Sequence, residues 1–153
     1  MAIFELHQYR NIALVGHGGC GKTSLAEALL FKAGVTNRLG SVADGSSILD
    51  YTEEEKERLS SLDSALCYLS HDGIHANIVD TPGTPAFCGP AIAALAGVEC
   101  AVVVVSAPAG IQVNTRKMVE RAREYGLGLW IVVNHIDASN AAPHPCDHRL
   151  PAS

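Results

Sequence analysis

The sequence is short of aromatic residues, of positive charge and of long apolar runs, and each shortage removes a class of protein. Phe, Trp and Tyr make up 5% of its 153 residues while 48% are hydrophobic, so the interior must be built from Ala, Val and Leu. That balance suits an α/β core of aliphatic strands and small-residue helices better than an all-β sandwich. With 11 Lys and Arg against 16 Asp and Glu, the formal charge is -5. No direct nucleic-acid surface is expected, because phosphate backbones demand a basic one. No apolar run approaches the ~20 residues needed to span a bilayer, so no membrane role is expected. The five cysteines (Cys20, Cys67, Cys88, Cys100, Cys146) show no C-x-x-C spacing. Their odd number and the lack of a secretory leader imply a reducing, cytoplasmic compartment. The length suits one domain.

What is present begins with one stretch. The apolar run Ile12-Ala13-Leu14-Val15 leads into Gly16-His17-Gly18-Gly19-Cys20-Gly21-Lys22-Thr23-Ser24 and then into Leu25-Ala26-Glu27-Ala28-Leu29-Leu30-Phe31. This reads as a strand, a glycine-rich loop and a helix. The spacing G-x-x-x-x-G-K-[ST] lets backbone N–H groups curl inward around polyphosphate oxygens, and the helix start adds the positive end of its dipole. Lys22 reaches the β and γ phosphates in such a loop, while the Thr23 hydroxyl ligates a bridging Mg²⁺. The motif says nucleotide without saying which.

Downstream, Gly34 supplies a helix stop, and Val35 to Asp50 has no period and many small polar residues, which marks a long mobile loop, of a length that is usually functional or disordered. The acidic run Glu53-Glu54-Glu55-Lys56-Glu57 is most simply a solvated helix face. Leu62 to Leu69 and Ile74 to Asp80 are strand candidates joined by an Asp72-Gly73 hairpin turn. A small-residue helix is expected over Ala86 to Gly97, and an amphipathic one over Val113 to Tyr125. Ala101 to Val105 and Leu129 to Val133 carry the signature of strands covered on both faces. From Ala138 to Ser153 there are three prolines and no period, so a disordered tail is expected. His144, Cys146 and His148 fall within that tail without the fourth ligand that a structural zinc site requires.

Two further loops bear on nucleotide choice. In Asp80-Thr81-Pro82-Gly83 an aspartate at a strand end can hold Mg²⁺, and the glycine lets a backbone N–H approach the γ phosphate. In Asn134-His135-Ile136-Asp137 the carboxylate of Asp137 can accept both the N1–H and the exocyclic amine of guanine, neither of which adenine offers in that position. Asn134 would tie this loop to the first one.

With these three loops, and with Leu49-Asp50-Tyr51, Glu57-Arg58-Leu59-Ser60-Ser61, Val102 to Ala107 and Gly110 to Val113, the chain resembles the translational GTPases over residues 8 to 137. Within that family it is most similar to elongation factor G and its elongation-factor-G-like paralogues. The resemblance implies a P-loop NTPase fold, α/β, with a mostly parallel, doubly wound sheet and one antiparallel edge strand, lacking the last strand and helix of a complete G domain. It divides the chain into a lead-in (1–10), an incomplete GTP-binding domain (11–137) and the tail (138–153). It further implies GTP and GDP as ligands, Mg²⁺ as cofactor and the ribosome as partner.

Guanine nucleotide would meet Gly16, His17, Gly18, Gly19, Cys20, Gly21, Lys22, Thr23, Ser24, Asp80, Gly83, Asn134, His135 and Asp137. Mg²⁺ would meet Thr23, Asp80 and Ser61, the last standing where the family's first switch loop ends in a threonine. Lys22, Gly83 and Thr84 are the candidate catalytic residues. Thr84 replaces a histidine that positions the attacking water, so slow hydrolysis is expected. Gly19 replaces an aspartate and His135 a lysine, so weaker guanine affinity is expected. Cys20 invites two readings, a redox-sensitive thiolate beside Lys22 or a small residue that fits the turn. Two functions stay open: a GTPase module of an elongation-factor-G-like protein, or a truncated, non-catalytic remnant. An ATPase or small-molecule kinase is disfavoured by the Asn-x-x-Asp loop.

Overall fold

The computed structural model describes residues 4–49 and 61–138. The acidic run 53–57, the stretch 57–60 and the tail beyond residue 138, with Cys146 and both of its histidines, lie outside the described residues. Among these residues are five strands and three helices: β1 (Tyr9–Gly16), α1 (Lys22–Lys32), β2 (Ala65–His71), β3 (Ile74–Asp80), α2 (Cys88–Ala96), β4 (Cys100–Ser106), α3 (Val113–Glu124) and β5 (Gly128–Asn134). Short 3-10 turns at Leu6–Gln8 and Pro85–Phe87 precede β1 and α2.

The sheet order is β2-β3-β1-β4-β5. β1 pairs in parallel with both β3 and β4, β4 pairs in parallel with β5, and β2 alone is antiparallel. The connections that leave the neighbouring strands β1 and β3 therefore run to opposite sides, and ligands in such sheets sit beyond the carboxyl ends of the strands at that reversal. The expected doubly wound sheet with an antiparallel edge is what forms.

Local chemistry explains the boundaries. Helix α1 ends where Gly34 takes φ 72, its N–H bonding Phe31 O while the Val35 N–H reaches back to Leu30 O. This double bond closes a helix on a left-handed glycine. Gly126 ends α3 in the same way, with Gly126 N–H on Arg123 O and Leu127 N–H on Ala122 O. Asp72 and Gly73 both have positive φ, 48 and 76, the pairing a two-residue hairpin needs to match strand twist. Strand β2 starts at Ala65 rather than Leu62 because the Asp63 carboxylate accepts the Ser64 N–H at 2.7 Å and turns the chain first.

Each face of the sheet has its own core. On one, Ala13, Val15, Ala101, Val103 and Val105 pack against Ala91 and Leu95 of α2 and Met118, Val119 and Ala122 of α3. On the other, Leu14, Ala65, Cys67 and Ile78 pack against Ala26 and Leu30 of α1 and against Leu49. Burying a side chain such as Leu14 or Leu30 contributes about 1.5–3 kcal/mol.

The expectation that Leu129 to Val133 is covered on both faces does not hold. Trp130 is 70% exposed and Ile131 53%, because β5 is the sheet's outer strand and α1 lies over β1, β2 and β3 instead. Among the described residues nothing lies over that end of the α1 face, where Ile12, Cys100, Val102 and Trp130 line an open apolar groove with Arg10 and Glu99.

Candidate functional site

The loop from Gly16 to Gly21 is shaped by left-handed glycines. Gly16 has φ 151, Gly19 φ 74 and Gly21 φ 89, values that L side chains rarely adopt. A Cβ on Gly16 would strike the Val104 carbonyl, and one on Gly21 would strike the Asn134 amide, whereas at Gly19 it would meet nothing. The last of these shows why glycine suits position 19: it is the backbone conformation, and not crowding, that favours it. Gly21 is the N-cap of α1 and no side chain caps the helix, so first-turn N–H groups face a cleft of about 180 Å³. Uncapped helix starts are intrinsic anion sites.

That cleft is lined by Gly18, Gly19, Gly21, Lys22, Thr23, Ser24, Ser61, Gly83 and His135, and also by Val42 and Thr81. Lys22 is buried, and its ammonium donates to His17 O at 3.1 Å and Gly16 O at 3.5 Å. The Thr23 hydroxyl donates to Asp80 Oδ2 at 2.6 Å and lies 3.4 Å from Ser61 Oγ. Three oxygens from three separate segments thus converge beside the loop, a hard donor set of the kind that suits Mg²⁺. Gly83 approaches so closely that a Cβ would lie 2.6 Å from Gly18 N and also collide with Lys22 Nζ. Thr84 sits half-buried near Gly18 and precedes the Pro85–Phe87 turn.

At the other end, Asn134 Nδ2 donates to Cys20 O at 3.1 Å, which ties the base-loop segment to the first loop. His135 is held with φ 57 and its Nδ1 lies 3.2 Å from Ser106 Oγ. Asp137 is exposed and is not among the residues that line the cleft. Cys20 is buried in the turn, and burial pushes its thiol up despite the opposing charge of Lys22. The geometry therefore favours the small residue that fits the turn over the reactive thiolate.

Three residues that hold the site escaped the sequence reading. Asn114, at the start of α3 and 1% exposed, donates to Gly83 O at 2.9 Å and Gly16 O at 3.3 Å. Thr81 donates to Leu14 O at 2.7 Å. Glu27, fully buried on α1, accepts from the Ser47 hydroxyl at 2.8 Å and the Ile48 N–H at 2.6 Å, and it packs against Gly40. It pins the segment that brings Val42 to the cleft. Only Glu27 left a signal, as a lone acid three residues from Leu30 on the helix's apolar stripe. Asn114 and Thr81 act through tertiary contacts that no spacing encodes.

The family described as the elongation factor Tu GTP binding domain matches residues 7–149. The chain belongs to that family. This GTP-binding domain is 38% identical over 132 residues to an elongation factor G-like protein of Mycobacterium tuberculosis, covering 86% of this chain and 18% of that one. It is 37% identical over 133 residues to an oxytetracycline resistance protein of Streptomyces rimosus, covering 87% and 20%. A crystal structure from Thermus thermophilus superposes with a TM-score of 0.81 at 40% identity, over 84% of this chain and 19% of that one. The chain thus spans about a fifth of the length of the curated relatives it matches, and it covers part of the G domain. Membership implies guanine-nucleotide binding. No helix among the described residues is long and apolar enough to cross a membrane.

Proposed function

We propose that this chain binds GTP and GDP with Mg²⁺ and hydrolyses GTP slowly, as the G-domain part of an elongation-factor-G-like protein that works at the ribosome in the cytoplasm. The observation that carries this reading is the convergence of Thr23 Oγ1, Asp80 Oδ2 and Ser61 Oγ beside Lys22. Those three oxygens would hold Mg²⁺, which when bound supplies charge neutralisation at the β and γ phosphates. The loop N–H groups and Lys22 bind the phosphates, and the Gly83 backbone closes against them. Asp137 would select guanine by accepting two N–H donors that adenine lacks. Thr84 offers a hydroxyl where the family places an imidazole, which weakens its hold on an attacking water.

Calorimetry of the chain with GDP and ADP, with and without Mg²⁺, tests this. GDP should bind more tightly than ADP, and Mg²⁺ should strengthen the GTP complex. Equal binding of both nucleotides, or none at millimolar concentration, sinks the proposal. A non-catalytic module is the second reading, favoured by the exposure of Trp130 and Ile131 on the strand that carries the base loop. It predicts no hydrolysis under single-turnover conditions and no rise in the thermal transition with GTP.

A further inference from the structure

Ser106 ends β4 and is nearly buried, and its surroundings fix it firmly. Its carbonyl accepts the Gly110 N–H at 2.8 Å, and the next N–H, that of Ala107, donates to Asn134 O at 2.8 Å. The backbone beside Ser106 is therefore joined to the loop that carries His135, and the two side chains meet with Oγ 3.2 Å from Nδ1. His135 adopts φ 57, an unusual conformation for a residue with a side chain. This conformation brings the opposite ring nitrogen, Nε2, to 3.4 Å from where a Cβ on Gly21 would sit. Glycine at position 21 thus leaves room for two side chains of the same loop, Asn134 and His135, and His135 reaches the cleft wall.

An imidazole at such a place can present either a donor or an acceptor to the cleft, and the bond made by its other nitrogen decides which. A serine hydroxyl can play both parts. The Nε2–H form is the preferred neutral tautomer of a histidine side chain, and it leaves Nδ1 as an acceptor for the Ser106 hydroxyl.

We propose that Ser106 is the positioning residue for His135: its hydroxyl donates to Nδ1, holds the ring as the Nε2–H tautomer, and aims that N–H into the nucleotide cleft beside Gly21 as a donor to acceptor atoms of the bound nucleotide. The proposal rests on the guanine-nucleotide reading above. It gives His135 a directional hydrogen bond in place of the charge and long stem of a lysine. It also names a residue on β4, outside the three nucleotide loops, as a determinant of affinity.

The test joins a spectroscopic readout to a binding cycle on the full chain. In ¹⁵N-histidine spectra without nucleotide, with His135→Gln used for assignment, His135 should show the Nε2–H tautomer, and Ser106→Ala should shift it toward a mixture. GDP affinity should fall about 5-fold in Ser106→Ala, the size of one neutral hydrogen bond. Ser106→Thr, which keeps the hydroxyl, should restore it. In a His135→Ala background, Ser106→Ala should cost nothing further.

An Nδ1–H tautomer in the wild type, an unchanged affinity in Ser106→Ala, or an equal loss in the His135→Ala background would each overturn the proposal. Thermal melts separate folding from positioning, since Ser106→Thr must melt like the wild type. If the wild type binds no GDP, the function proposed above fails, and the tautomer and its response to Ser106→Ala then decide this pairing alone.

Discussion

The phosphate end and the base end of the cleft are built by opposite means. At the phosphate end, buried groups from three segments brace one loop and the strand that leads into it: Lys22 from α1, Asn114 from α3, and the segment after β3, where Thr81 bonds Leu14 O and the Gly83 backbone is set against Gly18. At the base end, a single turn after the outermost strand carries Asn134, His135 and Asp137, and two side-chain bonds hold it, one to Cys20 O and one to Ser106. Under the proposed function, the difference follows from what each end would recognise. Phosphates are read mostly by backbone N–H groups, which demand a rigid curl, whereas a base is read by a few side-chain atoms whose placement tolerates a looser support.

Substitutions at the two ends should differ in their effect on stability, most strongly where the bracing is densest. Gly83→Ala should cost the most, about 2–4 kcal/mol in chemical denaturation, because its new methyl meets Gly18 backbone that cannot give way. Nucleotide binding should be lost with it, and a variant of normal stability and affinity would refute the bracing. Asn114→Ala should cost about 2 kcal/mol, since it strips a buried donor from the Gly16 and Gly83 carbonyls together. GDP affinity should fall alongside.

A smaller effect concerns Cys67, which lies behind the phosphate end. Burial first, then the carboxylates of Asp80 and Glu27, push its thiol up to about 11 from 9.0. The folded state therefore holds this proton more tightly than the unfolded chain. Its contribution is complete below pH 9 and drains away as the pH rises toward about 11. Denaturation midpoints measured across that interval should decline, and Cys67→Ala should flatten the slope.

The least effect on stability belongs to Asp137→Ala, which should stay within about 0.5 kcal/mol of the wild type because the residue is exposed. Its effect on choice should be large, with the preference for GDP over ADP falling about 100-fold. A loss of stability without a loss of preference would reverse the assignment of the two ends.

Legibility in the sequence followed the same division. The curl from Gly16 to Gly21 could be read because local spacing alone demands those backbone conformations, and the strands before and after it show as aliphatic runs. The hairpin at Asp72-Gly73 was legible for the same reason. The exposure of Trp130 and Ile131 was not, because an aliphatic run has the same appearance whether its strand is central or outermost. The roles of Asn114, Thr81 and Ser106 were also hidden. Each depends on a partner far along the chain, 98 positions away between Asn114 and Gly16 and 67 between Thr81 and Leu14.

By itself, then, the sequence determined the parts of this protein that depend on near neighbours: the glycine-rich curl from Gly16 to Gly21, the alternation of strand and helix, the helix end at Gly34 and the hairpin turn at Asp72-Gly73. Tertiary structure alone decided how those parts meet. Parallel pairing of β1 with both β3 and β4 brought Thr23, Ser61 and Asp80 to one point. It also left β5 at the edge and gave Asn114 its partners, while the pairing of β4 with β5 set Ser106 beside His135. The physical reason is that backbone preferences act over a few residues, whereas the burial of a polar group is settled by whichever distant segment arrives to bond it.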